Sequence, residues 1–388
     1  VSLDQYRNYG LESRIITSYS LGSMQNNLSA GIRLFTGTTS RQSDGVGSNG
    51  TGYDISIIGK YPRDIIFKSN NVAAFVENIF RLNEKLIIIP GIRYEWIQGS
   101  ASGRNGFAAN GNEILLQNIT RNREFLLAGV GAEYHITSTT EIYANYSQAY
   151  RPIQFANLQA PPTTDIVDPD LRDSKGYNLD LGYRGKIKNF LQFDISGFIL
   201  QYNNRVGVIV PNGTSNRLIT NVGASTSRGI ESYLEFNPAR AFNAPAQFDL
   251  IVFSSYGYTD ARYSGDHKDA NTKGKRVENA PEHILRAGIT AGYKKWLITW
   301  QYSHVGQVFS DANNTLIPTA NGNNGLIPAY DITDITLTYK MNSKFNIKGG
   351  LNNLFDTRYF TRRAGGYPGP GALPADGRTF FVSLQAKL

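Results

Sequence analysis

The chain contains no cysteine in 388 residues. That excludes a disulfide scaffold and any metal centre held by thiolates. Its four histidines stand apart at 135, 267, 283 and 304, and no two have metal-ligand spacing. A protein-built metal site, or any resident cofactor, is therefore not expected. No run of 18 apolar residues occurs, which excludes a transmembrane helix. The most apolar stretch, 86–89, is stopped at once by Pro90. The net charge is +8, yet there is no Lys/Arg-rich block and no nucleic-acid motif. The positive charge is spread along the chain, so a nucleic-acid partner is not expected, whereas lipid head groups or an anionic cargo remain open.

What is present is 23 Tyr, 20 Phe and 39 Gly, set in sequence that alternates with period two. In 140–151, Ile142, Ala144, Tyr146 and Tyr150 share one face and Glu141, Asn145, Ser147 and Arg151 the other. In 176–186, Tyr177, Leu179, Leu181 and Tyr183 oppose Asn178, Asp180, Arg184 and Lys186. In 379–388, Phe380, Val382, Leu384 and Ala386 oppose Thr379, Ser383, Gln385 and Lys387. Such alternation over about ten residues suits a tilted membrane strand. Only every second residue then meets lipid, so a mean hydropathy of −0.32 is compatible with a membrane protein.

Fifteen strands are predicted, at 10–22, 27–41, 70–82, 85–98, 121–136, 139–151, 174–187, 190–206, 217–237, 247–262, 276–293, 296–309, 328–341, 344–357 and 377–388. Short turns alternate with long polar, Gly/Asn-rich connections without exception. Bacterial outer-membrane barrels have short periplasmic turns and long external loops. A soluble sandwich would not gather its long loops at one end, and no blade repeat of a propeller is found. The fold class expected is all-β, a transmembrane antiparallel β-barrel. Counting back from a last strand that runs down from a long loop, the C-terminus is expected on the periplasmic side. The first strand then also runs down. An odd strand count leaves an unpaired edge, and residues 1–10 do not resemble a signal peptide. Further strands are therefore expected before Val1.

The end of the chain carries the most specific motif. Asn352-Asn353-Leu354-Phe355-Asp356, Tyr359, GGYPGPGALP at 365–374 and Gly377-Arg378-Thr379-Phe380 resemble the C-terminal signature of TonB-dependent outer-membrane transporters. YSQAYRP at 146–152 and VDPDLRDSKGYNLDLGYRG at 167–185 are similar to the family's strand-end and loop-to-strand segments. Leu388 departs from the aromatic residue that usually ends the family's barrels. The resemblance covers essentially the whole chain, 1–388, as one C-terminal barrel portion. YPRD at 61–64, NNVAAFVENIF at 70–80, PGIRYE at 90–95, RGIES at 228–232, SDANNT at 310–315 and GLIPAYD at 325–331 are similar to ferric citrate receptors. The resemblance implies about 22 strands in all, so that about seven strands, a plug and a TonB-engaging box lie outside this sequence. It implies TonB-driven uptake of a ferric chelate, ferric citrate or another siderophore. Its partners would be the TonB complex, through the absent N-terminal region, together with outer-membrane lipid and lipopolysaccharide.

A ferric chelate of this kind is anionic, and guanidinium groups suit carboxylates by charge and by fork geometry. Arg151, on the lumen-facing register at its strand's outer end, Gln154 on the next loop, Asn204 and Arg205 at another strand end, Arg217 opening the next strand, and Arg362 and Arg363 beside the last long loop are the candidate ligand residues. Competing roles for such arginines are lumen ion pairs with Glu95, Glu141, Asp180 or Glu231, or binding of lipopolysaccharide phosphate. Val206-Gly207-Val208-Ile209-Val210 is apolar where ferric citrate receptors tend to be polar, which leaves room for a larger or more apolar chelate. Strand-end aromatics Tyr19, Tyr134, Tyr183, Tyr293, Trp296 and Tyr339 are expected to form an interfacial girdle. An enzyme is not expected: Ser303 and His304 are adjacent on a strand and face opposite ways. The alternatives are TonB-dependent uptake of an oligosaccharide or cobalamin, and a passive porin.

Overall fold

The computed structural model describes residues 1–48, 54–153, 165–168, 170–209, 217–265, 272–364 and 371–387. Fifteen strands make one antiparallel sheet whose order follows the chain. They are Leu3–Leu21, Met24–Ser43, Arg63–Arg81, Leu86–Phe107, Glu113–His135, Thr140–Arg151, Ser174–Ile187, Leu191–Asn203, Ser225–Phe236, Phe248–Tyr263, His283–Tyr293, Trp296–Val305, Tyr330–Lys340, Phe345–Asn352 and Thr379–Ala386. Each corresponds to one of the fifteen expected from sequence. Among the described residues Leu3–Leu21 pairs only with Met24–Ser43, and Thr379–Ala386 only with Phe345–Asn352, so both are edges. Among the described residues no helix is long and apolar enough to cross a membrane. A four-residue helical turn, Pro238–Ala241, is capped by Asn237.

The residues group into two compact units, one of 1–132, 146–176 and 204–222, the other of 133–145, 177–203 and 223–388. In the first, Leu21↔Met24 closes a two-residue turn in which Gly22 has φ +61°. In the second, Tyr293↔Trp296 does the same with Lys294 at φ +55°. Tight hairpins demand that left-handed geometry to match strand twist. Several expected strands are shorter in the structure, and backbone geometry accounts for three of them. Gly223 at φ +112° separates a short strand, Arg217–Asn221, from Ser225–Phe236. Asn279 at φ +56°, followed by Pro281, delays the next start to His283. Asn353 at φ +51° ends Phe345–Asn352.

Side chains alternate as the sequence predicts. On Trp296–Val305, Trp296, Ile298 and Trp300 are exposed, while Leu297, Thr299 and Gln301 are half-buried. On Glu113–His135, Leu126, Val130 and Tyr134 are exposed and Arg121, Arg123 and Phe125 are not. A water-soluble sheet would bury these aliphatic rows, because exposing them forgoes about 25 cal/mol per Å2. Here the small buried clusters sit elsewhere, towards the long connections: Ile65, Phe67 and Ala101 in the first unit, Ala261, Tyr263 and Val277 in the second. The apolar rows are what a hydrocarbon surround stabilises. Of the expected girdle residues, Tyr19, Tyr134, Tyr183, Tyr293 and Trp296 are exposed at the short-turn ends of their strands, and Tyr339 is half-buried beside Trp296.

The opposite, polar face explains the wealth of Gly, Phe and Tyr. Phe75 lies over its cross-strand partner Gly31, Phe198 over Gly229, Phe253 over Gly288 and Phe381 over Gly350. Tyr143 covers Gly182 in the same way. A Cβ on Gly229 would stand 2.2 Å from the Tyr258 carbonyl and 2.4 Å from the Phe198 ring. Each ring shields backbone that glycine leaves bare, and its flat face lets polar groups pass. Arg14 and Arg93 sit 5.3 and 5.7 Å from the Phe75 ring.

The C-terminal motif forms a backbone knot in the second unit. Asn353 is buried; its amide donates to the Thr357 and Asp376 carbonyls, and its side-chain oxygen accepts the Thr357 N–H at 2.8 Å. Asp356 accepts the Arg378 N–H at 2.8 Å. Gly377 is required beside it, since a Cβ there would be 2.7 Å from the Asp356 carboxylate. The Asn-Leu-Phe-Asp and Gly-Arg segments are thus two halves of one joint that sets the entry of the last strand.

Candidate ligand-binding cleft

The polar cleft lies at the long-connection end of the first unit. Alternation places Arg121 and Arg123 on the polar face of Glu113–His135. Arg123 donates from Nε to Asp173 at 2.7 Å. Tyr150 donates to the same carboxylate and stacks on Phe125 with ring centroids 3.7 Å apart. The Ile153 N–H donates to it at 2.8 Å. Burial pushes the Asp173 carboxyl up, but the bonds from Arg123, Tyr150 and Ile153 outweigh this and hold it below the usual carboxylate range. Asp173 is therefore the anchor that pins the residues after Thr140–Arg151 to those before Ser174–Ile187. Around it Arg121, Arg172, Lys175 and Asn204 line an open cleft of about 680 Å3. Glu124 also lines it, so four cationic side chains face two carboxylates there, with Arg123 already paired.

A small sheet closes the back of this region. Val206–Ile209 pairs antiparallel with Arg217–Asn221, which pairs parallel with Asp165–Val167. Val206 and Val167 pack against buried Ile153, Leu171 and Ile219. Of the apolar stretch 206–210, Val206 thus packs in a local core, while the side chains of 208–210 lie outside the described residues. Asn221 ties the sheet down, donating to the Arg172 and Asn204 carbonyls at 2.8 Å each.

The seven expected ligand residues meet different fates. Asn204 lines the cleft at φ +54° and donates to the Asp173 carbonyl at 3.3 Å. The backbone of Arg205 follows it, its carbonyl accepting the Val222 N–H at 2.6 Å. Arg217 begins its short strand at the register of Asp165. Gln154 lies outside the described residues. Arg151 is exposed but not on the expected register. Tyr150 turns to the Phe125 face, so Arg151 points the other way. The cause is a break in the ladder, where the Gln148 side chain, not a carbonyl, takes the Ala128 N–H at 3.0 Å. In the second unit Arg362 is exposed, on the strand Phe360–Ala364. Arg363 donates to the Gly322 and Leu326 carbonyls at 3.0 Å each and lies 5.0 Å from the Phe360 ring. It is a staple between two connections.

Lumen-type ion pairs account for other charges. Arg93 meets Glu95 at 2.5 Å and Arg184 meets Glu141 at 2.6 Å. The structure also gathers Glu133, His135 and Glu141, which sequence spacing did not suggest as a cluster. Arg184 already supplies their cation, 3.5 Å from Glu133 as well. Sequence reasoning missed Arg121, Arg123, Arg172, Lys175 and Asp173; the alternation of Glu113–His135 was the available signal for the first two.

A family model described as "TonB dependent receptor-like, beta-barrel" matches residues 2–354. The Pseudomonas aeruginosa metal-pseudopaline receptor CntO is 21% identical over 325 residues, 81% of this chain and 40% of that protein. The Vibrio cholerae vitamin B12 transporter BtuB is 26% identical over 231 residues, 58% of this chain and 32% of that protein. The crystal structure of the ferric citrate transporter FecA in unliganded form superposes with TM-score 0.79 at 19% identity, covering 99% of this chain and 55% of that one. The Escherichia coli ferric-catecholate import receptor Fiu gives 0.74 at 15%, with 99% and 55% covered. The chain spans about two-fifths or less of the curated relatives and about half of these solved chains.

Proposed function

This chain belongs to the TonB-dependent receptor β-barrel family, and from that membership we propose that it is the C-terminal portion of an outer-membrane transporter for an anionic ferric chelate. Two unpaired edge strands support the idea that strands from outside this chain complete the barrel, since open edges in lipid leave backbone groups unsatisfied. The short turns face the periplasm and the long connections face outward. TonB acts through parts beyond this chain, and lipopolysaccharide surrounds the outer rim. The iron is cargo and arrives already chelated.

The observation that carries this reading is the cleft of Arg121, Arg172, Lys175 and Asn204 around the Arg123–Asp173 pair. Asp173 neutralises Arg123, which leaves Arg121, Arg172 and Lys175 against the single carboxylate of Glu124, a net positive cleft for an anion. Ferric citrate or a carboxylate siderophore presents several carboxylates to such a set, in the fork geometry that guanidinium favours. Of the residues expected from sequence, Asn204 lines this cleft and Arg205 follows it in the chain. Arg362 serves a second contact from its own connection, and Arg151 a lipopolysaccharide phosphate.

Equilibrium binding of ferric citrate and single siderophores to the full-length protein tests the proposal. Each charge-assisted bond is worth about 1.5–3 kcal/mol, so Arg121→Ala with Arg172→Ala should weaken binding by about 100-fold or more. Unchanged affinity for every ferric chelate would sink the iron reading. Cobalamin is the second reading, favoured by the similarity to the vitamin B12 transporter. It predicts binding that ignores both substitutions and varies little with salt.

A further inference from the structure

A second cleft lies in the second unit, on the apolar face and at the short-turn end of its strands. We propose that the groove beside the helical turn Pro238–Ala241 is a binding site for an anionic glycerophospholipid of the periplasmic leaflet. The inference rests on the orientation given above, with short turns toward the periplasm.

The groove belongs wholly to the second unit and encloses about 740 Å3. Leu250, Ile298 and Leu337, on the apolar face of three strands, form its floor. The other short-side connections are two to four residues long. Between Phe236 and Phe248 the connection is longer, and its Ala239 and Phe242 build a wall against that face. Phe242 is 80% exposed, a ring that water alone does not stabilise there. The rim is aromatic: Phe248 pairs with Tyr293 at 4.9 Å and Trp296 with Tyr339 at 4.5 Å. Tyr and Trp rings of this kind sit at the level of lipid head groups. A shape of this sort fits an acyl chain along the floor and a glycerol at the rim.

Charge selects the head group. Arg240 closes the last turn of the helical wall and is exposed. Lys294 stands 5.2 Å from the Tyr293 ring, with its backbone N–H on the Gln247 carbonyl. Lys340 is exposed at the end of its strand, its N–H bonded to the Lys295 carbonyl. Arg240, Lys294 and Lys340 have no carboxylate partner among the described residues. Asp249, the one acidic residue lining the groove, already accepts from Asn237 at 2.8 Å. Arg240 and Lys294, on the helical turn and the hairpin that wall an apolar slot, with Lys340 at the end of a neighbouring strand, match a phosphate on an acyl glycerol. Each basic residue near such a surface is worth about 1 kcal/mol toward an anionic lipid.

Native mass spectrometry of the full-length protein, delipidated in detergent, decides the matter. The probes are phosphatidylglycerol, phosphatidylethanolamine and purified lipopolysaccharide. The wild-type protein is expected to retain phosphatidylglycerol at about tenfold lower concentration than phosphatidylethanolamine. Arg240→Glu with Lys294→Glu should abolish that preference while thermal stability stays unchanged. Ala239→Trp, which fills the slot, should reduce retention of both phospholipids. Phosphatidylglycerol retention that ignores all three substitutions overturns the site. Lipopolysaccharide retention that is lost with the same substitutions overturns the orientation and the proposed occupant together, while leaving the groove occupied.

Discussion

Single residues decide how the long connections are held. The Asp173 carboxyl accepts three bonds and lies below the usual carboxylate range. A carboxyl whose pKa falls on folding stabilises the native state above its unfolded value, near pH 4, and that contribution vanishes as pH drops through the folded value. Asp173→Asn is therefore expected to lower the thermal unfolding midpoint at pH 7, with the gap to wild type narrowing as pH falls below about 4. A gap that is constant over that range would remove the carboxylate from its role. Asn353→Ala leaves the Thr357 N–H and two carbonyls without partners in a buried joint, which costs about 1–3 kcal/mol. Urea unfolding in detergent should show that loss, and Asn353→Asp should recover only the acceptor bond. At this scale the sequence was partly legible. The signature around Asn353 was recognisable as a pattern, but its reason was not, because Asp376 and Arg378 meet it only in three dimensions. Arg151 was placed on the wrong register because a ladder break near Gln148 leaves no mark in the alternation.

Whole strands were the most legible part. Period two and a two-residue turn with a left-handed residue are local properties, so every strand of the sheet could be placed. Strand ends were not, because Gly223, Asn279 and Asn353 break strands through backbone angles that composition does not specify. Cross-strand pairing was also hidden. The aromatic-over-glycine pairs need a register, and the sequence shows only that Gly and aromatics are both plentiful. Gly229→Val tests this device, since its Cβ would meet the Tyr258 carbonyl and the Phe198 ring. Forcing atoms into so close a pairing costs about 1–3 kcal/mol. The temperature at which the folded band gives way to the unfolded one on a denaturing gel should fall, and Phe198→Ala in the Gly229→Val background should restore part of it. A variant as heat-resistant as wild type would show that the close approach carries no cost.

Each unit is inverted relative to a water-soluble sheet: apolar rows are exposed on one face, paired charges lie on the other, and the small buried cores lie toward the long connections. Family membership agrees with that inversion. Strand ends and the connections beside them bring Arg121, Arg172, Lys175 and Asn204 together from segments separated by up to 83 positions. Such convergence could not be read from spacing. The most direct test is uptake of radiolabelled iron by cells that express the full-length protein, with ferric citrate and individual siderophores supplied in turn. The account predicts uptake of at least one anionic chelate that stops when the proton gradient is collapsed and falls about 100-fold or more in binding-limited conditions when Arg121 and Arg172 are both alanine. Uptake of no ferric chelate, with intact uptake of cobalamin, would contradict it.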